Sequence, residues 1–190
     1  MSQSREKLMK RKEVEPTKLE LNIAQTFCDI EKSQSPIAKN IAPLRICAVR
    51  EFEVSSNKKA LVVFVPFPQL AAYHRVQTQL VQELEKKLTG NTVLIVAKRR
   101  IIPKPKRGTK YTQPRPRSRT VASVHEKILD DLVYPLNIQG KHIRHRVDGS
   151  EIVKVQFEKK SRDDIKDKLD CLSVVYHNLT GKNTAFEFTH

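Results

Sequence analysis

Cysteine is scarce in this chain, and long apolar runs are missing from it. Cys28, Cys47 and Cys171 are its three cysteines, far apart and without a CxxC pair. An odd number of isolated thiols in a lysine-rich chain points to a reducing compartment, cytosol or nucleus, with the thiols buried and free. The longest uninterrupted apolar runs, such as ALVVFV, are about six residues, against the roughly 20 that a membrane helix needs. The amino-terminal MSQSREKLMKRKEVEP is charged and lacks the apolar stretch of a signal peptide. No lipidation motif is visible and no amphipathic helix carries the basic residues, which disfavours a membrane partner. GxSxG, HExxH and GxGxxG are all missing. TGKNT (180–184) echoes the end of a phosphate-binding loop, but Tyr176 stands where that loop requires glycine. His142 and His145 in HIRH fall on opposite faces of a strand, with no cysteine pair near, so zinc is not expected. His125, Glu126, Asp130 and Asp131 read as the solvated side and flanks of a helix rather than as acid–base groups. The expectation is no catalytic residue, no metal and no cofactor.

Positive charge is what the chain has in excess. It holds 36 Lys and Arg against 21 Asp and Glu, a formal net charge of +15. Ten of the basic residues lie in 98–119, KRRIIPKPKRGTKYTQPRPRSR, which contains no acid and four prolines. Without that block the balance is close to ordinary. Charge concentrated this way is the footprint of a surface that meets a polyanion. Pro103, Pro105, Pro114 and Pro116 favour polyproline II there and disfavour helix or sheet. An extended basic chain cannot build a core, but it can track a phosphate backbone. Arg115, Arg117 and Arg119 alternate with Pro116 and Ser118, and arginine adds bidentate phosphate contacts and base stacking. Tyr111 is the one aromatic available to stack.

The chain divides around this block. Residues 1–15 are mostly charged and read as a disordered tail. Residues 16–97 form a first α/β lobe: a helix over 16–32 with Pro16 in its first turn and Leu19, Ile23, Phe27 and Ile30 inward, strands at 45–54 and 60–66, a helix over 67–90 and a strand at 92–102. The long helix turns Leu70, Tyr73, Gln77, Leu80, Val81, Leu84 and Leu88 inward, with a Glu83–Lys87 pair outside and Gly90 as cap. Residues 98–119 are the extended basic segment. Residues 120–190 are a second lobe, with a helix over 119–135, a hairpin of strands 142–147 and 151–157 turning at Asp148-Gly149, a helix over 161–181 with Asp163 and Asp164 in its first turn, and a strand at 183–188. Ser123 and Glu126 fit a capping box. The fold class is therefore α+β, with two similar α-β-β-α-β units joined by the basic segment. Leu88-Thr89-Gly90 and Leu179-Thr180-Gly181 align at an offset of 91, which fits either an internal duplication or a recurrent helix ending.

The RNA-contact residues expected from this reading are Lys98, Arg99, Arg100, Lys104, Lys106, Arg107, Lys110, Arg115, Arg117 and Arg119 in the block. Lys141, Arg144 and Arg146 offer a second basic surface on strand 141–147, where alternation puts His142, Arg144 and Arg146 on one face and Ile143, His145 and Val147 on the other, a pattern that fits either an RNA contact or an ordinary solvated strand face. Ten phosphate contacts from the block imply that log K falls against log salt with a slope of roughly −7 to −9.

FVPFPQL (64–70), LVQELEKKLTG (80–90), KRRIIPKP (98–105), PRPRSRT (114–120), VHEKILDDLVYP (124–135), GKHIRHRVDGSEIVKV (140–155) and LTGKNTAFEF (179–188) resemble the eukaryotic-type small-subunit ribosomal protein seven family. The resemblance runs from about residue 16 to the carboxyl end, and departs from the family at KRGTKYTQ (106–113), where the family is more uniformly basic. It implies a structural protein of the small subunit of the cytosolic ribosome, binding small-subunit rRNA and passing through the nucleolus during assembly and rRNA processing. Neighbouring small-subunit ribosomal proteins and early assembly factors are the implied protein partners, with no catalysis, cofactor, metal, membrane or homo-oligomer. It also implies that KRRIIPKP and PRPRSRT are the rRNA-contact segment. Two other classes fit the charge alone: a free nucleic-acid-binding protein or nuclease acting on RNA, and a DNA-associated architectural protein.

Overall fold

A computed structural model describes residues 5–9, 15–33, 37–55, 58–88, 90–108, 113–158, 165 and 168–188. Helix α1 runs Lys18–Lys32. A capping box starts it: the Thr17 hydroxyl accepts from the Glu20 N–H, and Glu20 Oε2 accepts from the Thr17 N–H at 2.8 Å. Pro16 therefore sits before the cap rather than in the first turn. Ile23, Phe27 and Ile30 are buried as their spacing requires, but Leu19 stays 40% exposed at the margin. A one-turn helix, α2 (Ala38–Ile41), leads to strand β1 (Ala48–Ser55), which pairs antiparallel with β2 (Lys58–Pro66). Helix α3 (Leu70–Lys87) follows through a 3-10 turn at Phe67–Gln69, and strand β3 (Asn91–Lys98) returns parallel to β2. Buried Tyr73, Val76, Gln77, Leu80 and Leu84 form the inner face of α3. Its exposed pair is Glu83 with Lys86, not Lys87, at 3.1 Å.

The second half repeats this order. Helix α4 (Val121–Val133) leads to β4 (Ile138–His145), β5 (Glu151–Phe157), α5 (Leu169–Thr180) and β6 (Asn183–Phe188). Thr120, not Ser123, caps α4: its hydroxyl accepts from the Ser123 N–H at 3.4 Å, so the helix begins one turn earlier than a Ser123–Glu126 box requires. Asp163 and Asp164, expected in the first turn of the last helix, lie outside the described residues. Gly181 ends α5 at φ +73°, the left-handed conformation that its missing Cβ makes accessible. β4 and β5 are antiparallel and β5 and β6 parallel.

Among the described residues the sheets are thus two, each three-stranded, with orders β1-β2-β3 and β4-β5-β6. In the first sheet β2 and β3 are buried on both faces, as a parallel pair usually is. Leu61, Val63, Val65, Val93, Ile95 and Ala97 face α1 and α3, whose Phe27, Ile30, Tyr73 and Leu80 complete that core. On the other face Ala60, Val62, Leu94 and Val96 meet Leu129, Leu132 and Val133 of α4 and Leu172, Val175 and Tyr176 of α5. Val153, Val155 and Phe157 of β5 close the same cluster. Residues from 16–97 and from 120–190 therefore share the core on this second face. Each fully buried aliphatic or aromatic side chain in it contributes about 1.5–3 kcal/mol of apolar transfer.

Residues 5–9 depart from the disorder expected of the amino-terminal tail. Lys7 is buried, donates to the Ala42 carbonyl at 2.7 Å and the Ile41 carbonyl at 3.4 Å, and pairs with Glu31 at 2.8 Å. Leu8 forms a bridge with Ile46. A lysine with three partners and an apolar neighbour has reason to dock.

Candidate nucleic-acid interface

The basic block leaves the body at the end of β3. Lys98, its first residue, is exposed and still in register with Pro66. The strand stops there, short of residue 102. Arg99 turns inward, and its guanidinium makes a two-pronged contact with the Asp131 carboxylate on α4: Nη2 donates to Oδ1 at 3.0 Å and Nη1 to Oδ2. Asp131 Oδ2 also accepts from the Ala97 N–H at 3.0 Å. The guanidinium lies over the Phe67 ring, 5.5 Å from its centre. The two side chains are only 10% and 5% exposed. Asp131, expected on the solvated flank of its helix, is instead buried.

From Arg100 onward the chain turns to solvent. Arg100, Lys104, Lys106 and Arg107 are exposed, while Lys110 and Tyr111 lie outside the described residues. The segment then comes back to its own root: the Ile102 N–H donates to the Arg119 carbonyl at 3.0 Å. That bond brings the two ends of the segment together, so the described residues on either side of 109–112 share one base on the body. Pro116 keeps polyproline-like angles (φ −68°, ψ 142°), and Arg117–Arg119 form a 3-10 turn that feeds the Thr120 cap. Arg117 and Arg119 are exposed, and Arg115 is half-buried. The Arg115 Nε is covered and donates to no acceptor among the described residues.

Lys141 differs from the other residues of the second surface. Its ammonium donates to Asp130 at 2.8 Å and to Glu126 at 3.3 Å, both on α4. Burial acts to raise the Asp130 carboxyl, but hydrogen bonds from Lys141 and Lys127 outweigh it and hold Asp130 below the usual carboxylate range. Burial likewise acts to lower Lys141, and Asp130 and Glu126 overcome it and hold the ammonium above its usual value. Arg144 and Arg146 are exposed beyond it. Their hairpin is closed by Arg146 N–H to Ser150 O at 2.9 Å and turns at Gly149, whose φ is +75°. Ile143 and Val147, on the other face, are 56% and 105% exposed. Neither face of the hairpin tip is covered.

The twelve of these basic positions that are described thus separate into two kinds. Arg99 and Lys141 are held by carboxylates of α4, while most of the rest project from the loop and the hairpin. Sequence reasoning missed Asp131. The signal was present: Val124, Ile128 and Asp131 share one stripe at i, i+4 and i+7, and an acid on an apolar stripe asks for a buried cation. Lys127, also exposed, spends its charge on Asp130 at 3.1 Å.

The described residues thus form a folded α+β body that carries a proline-rich basic segment. The chain belongs to the ribosomal protein S7e family, whose profile matches residues 7–188. It is 48% identical over 172 residues to small ribosomal subunit protein eS7B of Saccharomyces cerevisiae, covering 90% of each chain. It is 47% identical over 182 residues to small ribosomal subunit protein eS7 of Schizosaccharomyces pombe, covering 96% of this chain and 93% of that protein. With small ribosomal subunit protein eS7z of Arabidopsis thaliana the identity is 40% over 188 residues, 99% of this chain and 97% of that one. The family is one of ribosomal structural proteins, and the chain is not an enzyme.

Proposed function

We infer that the chain is a structural constituent of the small subunit of the cytosolic ribosome, and that it binds small-subunit rRNA through the 98–119 loop. One observation carries the RNA reading: ten basic residues of a chain with net charge +15 lie in a segment whose two ends the body roots together, and most of its described residues are exposed. Arg100, Lys104, Lys106, Arg107, Arg117 and Arg119 track the phosphate backbone, Lys98 and Arg115 lie along the same path, and Lys110 belongs to the same stretch of sequence. Such contacts release counterions, so binding weakens steeply with salt. The hairpin supplies a second contact through Arg144 and Arg146. The two-core body holds these surfaces apart and adds no chemistry of its own.

Neighbouring ribosomal proteins cover part of the remaining surface. Assembly factors meet the chain earlier, during nucleolar assembly and rRNA processing, and it enters the subunit as a single copy. The shared strand order of the two sheets supports an internal duplication of an α-β-β-α-β unit. The decisive experiment is gradient sedimentation of tagged protein from cell extract at moderate salt. The expected result is co-migration with small subunits. Protein that stays at the top of the gradient would overturn the reading.

A further inference from the structure

Helix α4 carries three acids toward the two basic surfaces, Glu126, Asp130 and Asp131. Each contacts a residue that the charge pattern marks for RNA. Asp131 takes both prongs of Arg99 and the Ala97 N–H, while Asp130 and Glu126 take Lys141. Arg99 stands three residues before the hydrogen bond that closes the loop, and Lys141 stands three residues before Arg144 on β4. One helix therefore grips the root of the loop and the root of the hairpin.

We propose that Arg99 and Lys141 are positioning residues: α4 holds them in the body, where they set the exit of the loop and the placement of the hairpin, and neither contacts phosphate. This assignment rests on the reading that the loop binds rRNA. Its physical basis is the environment of Asp131. To offer its fork to a phosphate, Arg99 would leave the Asp131 carboxylate charged, buried and without a cation, held by the Ala97 N–H alone, which a solvent-screened phosphate contact does not offset. The planar fork and the Phe67 stack also fix Arg99 in one orientation that lysine cannot reproduce.

The test is binding of the full chain to a small-subunit rRNA fragment across a salt series. Wild type is compared with R107Q, R99Q, R99K, D131N and K141Q, with circular dichroism to follow folding. R107Q removes a phosphate contact and makes the slope of log K against log salt shallower by roughly 0.7–0.9. R99Q and K141Q are expected to keep the wild-type slope while lowering affinity by a similar factor at every salt concentration. R99K is expected to lose as much affinity as R99Q, although its charge is retained. D131N is expected to weaken binding even though it removes a negative charge. R99Q or K141Q with a slope as shallow as that of R107Q would overturn the assignment, as would D131N binding more tightly than wild type. Should D131N or R99Q not fold, K141Q decides alone, since Lys141 is partly exposed and its pairs are surface ones. A wild-type slope near zero would instead overturn the RNA reading itself.

Discussion

The two three-stranded sheets share one topology and serve different ends. Each pairs a hairpin with a third, parallel strand. In the first, β2 and β3 are covered on both faces and bind the molecule together. In the second, Val153, Val155 and Phe157 of β5 are buried in the shared core with Ile138, Phe186 and Phe188 packed against them, while the far end of β4 carries Ile143 and Arg144 into solvent and Arg146 follows in the turn. The lesson is that one supersecondary pattern becomes frame or contact surface according to what covers it.

The largest effect should come from breaking the frame at the point where the basic loop leaves it. Asp131→Ala strips Arg99 of its buried partner and the Ala97 N–H of its acceptor, and is expected to cost about 3–5 kcal/mol in chemical denaturation. Close behind is a matched pair across the two sheets. Ile95→Ala in β3 should cost about 2–5 kcal/mol, because Ile95 is 2% exposed. Ile143→Ala in β4 should stay within about 0.5 kcal/mol by the same denaturation measurement. Equal costs would remove the distinction between frame and surface.

Smaller effects sharpen the picture at the edges. Thr17→Ala deletes the α1 cap and should lower stability by about 1 kcal/mol. Acid should weaken the frame through two histidines. Burial lowers His74, with Asp131 opposing and Arg99 assisting, and burial together with Lys182 lowers His125. Both folded-state values lie below the unfolded one near 6.5, so their contribution is complete above that pH and is lost as pH falls through the folded values. Thermal melts should therefore shift down as pH drops below about 6.5, and His74→Gln should reduce that shift. Smallest of all is Lys86→Ala, which breaks an exposed pair with Glu83 and should change stability by less than about 0.5 kcal/mol.

The order of elements was legible in the sequence because each carries its own period. Spacing alone locates Ile23, Phe27 and Ile30 on α1, and Asp148-Gly149 marks the hairpin turn. Boundaries slipped where a side chain outside the apolar pattern makes the cap, as with Thr17 and Thr120. The shared core was hidden because β2 and β3 are apolar throughout, and continuous apolarity does not say which layer lies on the second face. The loop closure was hidden because a backbone bond between residues 102 and 119 leaves no side-chain signature. For the site, charge density located the surface, but charge alone does not separate an arginine that reaches solvent from one that a buried aspartate claims.

The account stands most directly on a residue-level crosslinking map of the chain within assembled small subunits. It predicts the strongest rRNA crosslinks across 100–119, weaker ones at Arg144 and Arg146, and none at Arg99 or Lys141. Crosslinks concentrated on α1 and α3, with the basic loop silent, would contradict it.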